Sequence, residues 1–263
     1  MTKAELLPHQ GRASYASISS YQRKCGSVLY AAVISRPDIA FAVSRIARHN
    51  ANPSQEHHEA VNRVIRYLGK TCHYALCFGG EDDFVVASDA SFADNTLDRK
   101  SSQAYAMKLF GGLIGWRANK QTTVTTSTTE AELLALSQAA KESIFVSHLI
   151  KELGVTLDDQ RIQIQCDNTA TVRLVESELP TLNTKLRHVD IHNHWLRQEA
   201  QNGRITVKHT RSAEMIADGL TKALGKEQHR AVIQQLGLED ISDMQQNSFP
   251  EVETALEKLE LMD

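Results

Sequence analysis

Long apolar runs are missing from this chain. No uninterrupted stretch approaches the roughly 20 residues that a bilayer-spanning helix needs, and the N-terminus lacks the apolar core of a signal peptide. Cysteine is scarce too. Cys25, Cys72, Cys77 and Cys166 are too few and too scattered for a disulfide scaffold. Cys72 and Cys77 lie close together, but no second Cys/His pair at zinc-finger spacing joins them, which argues against structural zinc. Reduced cysteines in an intracellular protein, cytoplasmic or nuclear, and no membrane partner are the expectation. There is no Ser/His/Asp triad pattern, no P-loop, no glycine-rich dinucleotide turn and no internal repeat.

The chain has 263 residues, 41% of them hydrophobic and 23% charged. That is ordinary for a globular protein and long enough for a full core plus a smaller appended unit. The formal net charge is −3, but its distribution is uneven: residues 1–80 carry ten Lys/Arg against four Asp/Glu, and residues 239–263 carry eight acids against Lys258 alone. A basic leading segment, a balanced middle and an acidic tail are compatible with local binding of phosphate backbones.

Residues 1–20 are polar and predicted to be a flexible start. Residues 21–70 have helical periodicity, with Pro37 at a helix start and a break at Asn52-Pro53-Ser54. Arg45, Arg48, Arg63 and Arg66 are assigned to the solvated faces of these helices. After Gly79-Gly80 the period changes. Residues 84–90 (FVVASDA) form a short apolar run suited to a central strand, and Gly111-Gly112 separates two further strands as a hairpin turn. A long helix is predicted over 128–153, closed by Gly154. Strand 161–166, a short helix from Asn168, helix 188–197, strand 205–208 and helix 212–224 follow, with one more helix to about 238. The expected fold class is α/β: a mixed five-stranded sheet flanked by helices and preceded by a small helical segment.

Four acidic segments recur in order: SDASFAD, STTEAELLAL, QCDN and IADGLTK. Asp89 sits in strand phase with Val85 and Ala87, so it projects from an element that should be buried and needs a metal, a cation or several donors. Ser127-Thr128-Thr129-Glu130 matches a capping box, which assigns Glu130 to the cap and to a polar face with Ser137 and Lys141. Glu132 instead heads the stripe of Leu136 and Ala140 that should face the sheet. Asp167 closes a strand and opens a helix, where N-capping is the bland alternative. Asp218 is placed inside a helix, and only its company recommends it. Carboxylates gathered at adjacent strand ends would repel one another unless neutralised, and Mg²⁺ favours such hard oxygen donors. The predicted site is a two-ion Mg²⁺ centre, with Mn²⁺ as a substitute, held by Asp89, Glu132, Asp167 and Asp218 and suited to phosphodiester hydrolysis.

These motifs resemble a known family. YQRKCGSVLYAAVISRPDIAFAVSRIARHN…VIRYLGKT is similar to the end of the reverse transcriptase of copia-type LTR retrotransposon polyproteins. SDASFADNTLDRKSSQAYAMKLFGGLIGWRANKQTTVTTSTTEAELLAL, then QCDN, LRHVDIHNHWLRQE and IADGLTKAL, resemble its ribonuclease H domain. The resemblance covers residues 21–238 and implies a domain division of 1–20, 21–80, 81–225 and 226–263. It also implies a ribonuclease H-like fold, hydrolysis of the RNA strand of RNA–DNA hybrids, and Asp89, Glu132, Asp167 and Asp218 as metal ligands. A polymerase domain absent from this chain is the implied partner, since the paired-aspartate signature is missing. Many ribonucleases H carry a histidine in the loop before the last acid. His209 stands there but is assigned to the surface, and His188, His192 and His194 are assigned structural roles.

A hybrid duplex is recognised mainly by shape, 2′-hydroxyls and phosphates. Arg117, Lys120, Lys185, Arg187 and Lys208 flank the site in sequence and are the candidate phosphate contacts, with weak, salt-sensitive binding expected. Two rival readings are a catalytically inert or merely nucleic-acid-binding remnant, and a strand-transfer enzyme of the integrase kind. The order Asp, Glu, Asp, Asp favours ribonuclease H over the latter.

Overall fold

The structure, a computed structural model, describes residues 6–80, 83–157, 159–177 and 187–242. Helix α1 (Tyr15–Ile34) starts where the Ser14 side chain accepts from the Ser17 amide, the N-capping role that serine performs well. It therefore begins inside the segment predicted to be flexible. Its buried residues, Tyr21, Cys25, Val28 and Ala32, recur every three or four positions along one face. Pro37 opens a short 3₁₀ turn that leads into α2 (Ala40–Ile46). Helix α3 (Gln55–Lys70) starts with a reciprocal capping box in which His57 takes the place of glutamate. Together these helices enclose a small core of their own, built on Tyr21, Val28, Ile39, Val43, Val61 and Val64.

Strand β1 (Tyr74–Leu76) pairs antiparallel with β7 (Leu238–Asp240), a two-stranded ribbon that the sequence reading missed. The main sheet contains β2 (Phe84–Ser91), β3 (Ser102–Leu109), β4 (Gly112–Lys120), β5 (Ile162–Cys166) and β6 (Ile205–His209), in the order β4-β3-β2-β5-β6. The first three strands are antiparallel, and β5 and β6 run parallel to β2. The expected mixed five-stranded α/β sheet is present, with β2 at its centre. At the β3–β4 hairpin, Gly111 has φ +71°, and a Cβ there would lie 2.8 Å from the Gly79 carbonyl oxygen. Only glycine fits that turn.

One face of the sheet is covered by α4 (Thr128–Glu152), with α5 (Thr169–Glu176) and α6 (Arg187–Gln201) beside it, around Leu133, Leu136, Ile164 and Leu196. The other face meets Ala40 of α2, Leu220 and α7 (Lys226–Gln235). The Trp116 indole donates to the Ala32 carbonyl at 2.7 Å and so ties β4 to α1. Arg45 and Arg48, assigned to solvent, turn to the sheet instead. Arg45 pairs with Asp94 at 2.9 Å, and Arg48 donates to Ser102 at 3.4 Å. Leu136 is fully buried in the main core. Leu136→Ala is expected to cost about 2–5 kcal/mol through lost burial and a residual cavity, measured as a fall in the denaturant midpoint.

The predicted helix over 212–224 does not form. Two 3₁₀ turns, Ser212–Glu214 and Ile216–Leu220, stand there, separated by the extended Met215. Gly219 weakens helix propagation, and the turns bring Thr221 back to the sheet, a tertiary contact that outweighs local periodicity. A Cβ on Gly219 would come within 2.4 Å of the Val232 side chain, so this glycine also lets α7 pack close. The last predicted helix ends at Gln235, and the chain then turns at Gly237 (φ +73°) into β7. Most of the acidic tail lies outside the described residues, from position 243 onward.

Candidate metal centre

Sheet register brings the two strand-end acids, Asp89 and Asp167, together. Val85 pairs with Gln163 and Ala87 with Gln165 in the parallel β2–β5 ladder. Two residues further along each strand stand Asp89 and Asp167, so both project at the carboxyl ends of neighbouring strands. Glu132 reaches them from the second turn of α4, where the stripe of Leu136 and Ala140 buries it against the sheet. One carboxylate oxygen from each of Asp89, Glu132 and Asp167 lies within 4.8 Å of the others. Asn168, not Asp167, caps α5, accepting from Ala170 and Thr171. Asp167 is therefore free of the capping duty and accepts from the Ser212 hydroxyl, at 2.7 Å.

Asp218 stands apart from that trio. Its carboxylate is bonded to the Lys222 ammonium, one turn along the chain. It is still close enough for its charge to raise the pKa of Asp89. The neighbouring Thr221, fully buried, donates its hydroxyl to Asp89 Oδ2. Lys222 is the cation that acts on both Asp89 and Glu132. The sequence reading did not select Thr221 or Lys222. Both lie in the IADGLTK motif, but with 212–224 taken as helix nothing pointed them at the sheet.

Burial dominates the electrostatics. It pushes Asp89 up to about 6, with Asp218 and Asp167 adding to the rise while Thr221 and Lys222 oppose it. Glu132 is pushed up to about 9, first by burial and then by Asp89 and Asp167. The Ala90 amide, which donates to Glu132 Oε1 at 3.3 Å, and Lys222 moderate that shift. The other oxygen, Oε2, is buried and has no hydrogen-bond partner among the described residues, in a residue only 5% exposed. A buried carboxylate oxygen without a donor is costly unless a cation is supplied. Cys166 is also close, but burial pushes its thiol well up, so it remains protonated and offers no thiolate. The donor set is thus hard oxygen throughout, which fits Mg²⁺ or Mn²⁺ and not a soft metal.

This arrangement sets a sign for pH dependence. Both carboxyls hold protons more tightly in the fold than at their ordinary values of 3.8 and 4.5. The stability they confer is complete below those values and is lost as pH rises through about 6 and then about 9. In EDTA, the melting temperature is therefore expected to fall as pH is raised across that window, and Glu132→Gln should flatten its upper part.

Glu130 corrects a prediction. It is buried, and its carboxylate accepts from the Thr126 amide and hydroxyl, each at 2.7 Å, instead of lying on a polar face. It reaches back one residue beyond the Ser127 cap. Of the candidate phosphate contacts, Arg117 pairs with Glu142 at 3.7 Å, Lys120 with Asp98 at 2.6 Å, and Lys208 donates to Gln163 at 2.9 Å. Arg187 is exposed at the start of α6, and Lys185 lies outside the described residues. His209 ends β6 as an exposed strand residue, not a loop residue. His192 bonds to Ser137 at 2.9 Å, and His188 to Thr123 at 3.3 Å.

No protein-family model matches the chain. The Retrovirus-related Pol polyprotein from transposon TNT 1-94 of Nicotiana tabacum is 37% identical over 205 residues, covering 78% of this chain and 15% of that polyprotein. The corresponding polyprotein from transposon RE2 of Arabidopsis thaliana is 30% identical over 227 residues, covering 86% and 15% respectively. The chain thus spans 15% of the length of these relatives. Among solved structures, it is similar to the N-terminal RNase H domain of Rv2228c from Mycobacterium tuberculosis, solved as a fusion with maltose-binding protein. That match has 13% identity and a TM-score of 0.40, covering 57% of this chain and 96% of that one. On its sequence relatives and on the order and directions of its strands, the chain belongs to the retrovirus-related Pol polyproteins of copia-type transposons, corresponding to the end of the reverse transcriptase together with a ribonuclease H-like domain.

Proposed function

We propose that this chain is a Mg²⁺-dependent endonuclease that hydrolyses the RNA strand of RNA–DNA hybrids within a retrotransposon Pol polyprotein. The observation that carries the reading is the convergence of Asp89, Glu132 and Asp167, with Glu132 Oε2 buried and without a donor among the described residues. These three would hold a divalent ion, and Asp218 would join them for a second ion once its bond to Lys222 opens. Bound there, such ions activate water and stabilise the leaving oxygen of an in-line displacement. The chain's own part is positioning: Thr221 fixes the Asp89 rotamer, the Ala90 amide anchors Glu132, and Ser212 holds Asp167.

In this reading residues 81–225 are the ribonuclease H-like nuclease domain, residues 21–80 are a helical segment resembling the C-terminal end of a reverse transcriptase, and residues 1–20 and 226–263 flank them. Arg117, Lys120, Lys185, Arg187 and Lys208 remain the proposed phosphate contacts, and the polymerase is the proposed partner. Among the described residues no helix is long and apolar enough to cross a membrane.

The test is hydrolysis of an end-labelled RNA–DNA hybrid by the full chain with Mg²⁺, against EDTA, single-stranded RNA and duplex DNA. Cleavage confined to the RNA of the hybrid and abolished by EDTA is expected. A well-folded chain that binds the hybrid yet leaves the RNA intact would be the inert remnant instead.

A further inference from the structure

Lys222 sits where a cation does the most to the carboxylate cluster. Its ammonium is bonded to Asp218, and its charge acts on Asp89, Asp167 and Glu132 as well. The side chain is 44% exposed. It also lines a cavity of about 810 Å³ between the helical unit and the sheet, whose wall carries both acids and the cations Arg45, Arg48, Arg63, Lys226 and Arg230. The part-exposed ammonium thus has the carboxylate cluster on one side and open space on the other.

We propose that Lys222 is an internal counter-cation of the carboxylate cluster, displaced toward solvent when a divalent ion binds. This rests on the metal-site reading above and deepens it. Without an ion, Lys222 keeps Asp218 occupied and offsets part of the repulsion among the buried acids. With an ion, its positive charge opposes binding, and its release frees Asp218 to act as a ligand. Lys222 is a positioning residue in this scheme, setting the ion concentration at which the site fills. A divalent ion carries twice the charge of a competing proton, so losing Lys222 favours the ion over the proton.

The experiment uses thermal melts of the full chain titrated with Mg²⁺ and, separately, Mn²⁺, in wild type, Lys222→Gln and Glu132→Gln. Lys222→Gln should lower the ion-free melting temperature and reduce the ion concentration giving half-maximal stabilisation by about tenfold. Glu132→Gln should abolish stabilisation by either ion. In parallel, wild type is labelled with an amine-reactive reagent and read by mass spectrometry, which requires no variant to fold. Labelling at Lys222 should rise when Mg²⁺ is added, while that at Lys226 stays constant. If wild type is stabilised by the ion, and neither the Lys222→Gln midpoint nor the labelling moves, Lys222 is only a structural ion-pair partner and the proposal fails alone. If wild type shows no ion response, the metal-site reading fails and takes this proposal with it.

Discussion

Asp89→Asn and Glu132→Gln are each expected to reduce cleavage of an RNA–DNA hybrid by at least about 100-fold, more than is typical for loss of a residue that merely supports a ligand. The same substitutions should raise the melting temperature of the metal-free chain once pH passes the point where each carboxyl ionises, about 6 for Asp89 and about 9 for Glu132. The two effects have one cause. Glu132 is buried with Asp89 and Asp167 close by, so in the absence of an ion the cluster is a source of repulsion. An amide at position 132 keeps an oxygen for the Ala90 N–H and turns an N–H₂ toward the acids, relieving that repulsion. It cannot supply the negative charge that a divalent ion requires. Activity on a labelled hybrid and melts in EDTA check the two halves separately. A variant that lost activity and stability together would point to a damaged fold.

Breaking the Arg36–Asp38 pair is the second large effect. The guanidinium donates to both Asp38 oxygens, at 2.9 and 2.8 Å, and to the Thr71 carbonyl and hydroxyl at 2.8 and 2.7 Å. It also lies over the Tyr67 and Tyr74 rings. The Tyr67 hydroxyl donates to Asp38 at 2.7 Å, and His229 bonds to the Asp38 carbonyl at 3.2 Å. The Asp38 side chain is completely buried and that of Arg36 only 6% exposed. Asp38→Ala leaves a buried guanidinium without its counter-charge and Tyr67 without an acceptor, at an expected cost of about 3–5 kcal/mol. Arg36→Met combined with Asp38→Leu should cost less than Asp38→Ala alone, because no buried charge is left over. Denaturant unfolding of the variants measures this. Since the network joins α3, β1 and α7, its loss should also loosen the β1–β7 ribbon.

Much of the fold was legible because local signals agreed with the tertiary outcome. The apolar run around Val86, the Gly111 turn, Ser127 before a long amphipathic stretch and Gly154 after it each specify an element without long-range help. Separation of Glu132 from Glu130 also followed from helical phase: one leads the buried stripe and the other serves the cap. The cap itself was only half read, since Glu130 reaches Thr126 and is buried by neighbours that periodicity does not reveal. The β1–β7 ribbon was invisible for a similar reason. Two three-residue strands more than 150 positions apart carry too little pattern to be seen separately.

Residue order alone indicated the five strands of the main sheet, the long helix α4 and the candidate acids, because hydrophobic period, caps and turn residues act over a few positions. Tertiary structure decided which acids meet: parallel register sets Asp89 beside Asp167, and the packing of α4 delivers Glu132. It also decided that Asp218 is held by Lys222 and that Thr221 turns to the sheet. Those contacts depend on close approach between segments distant in sequence, and the energy of burying charge depends on that approach, not on local pattern.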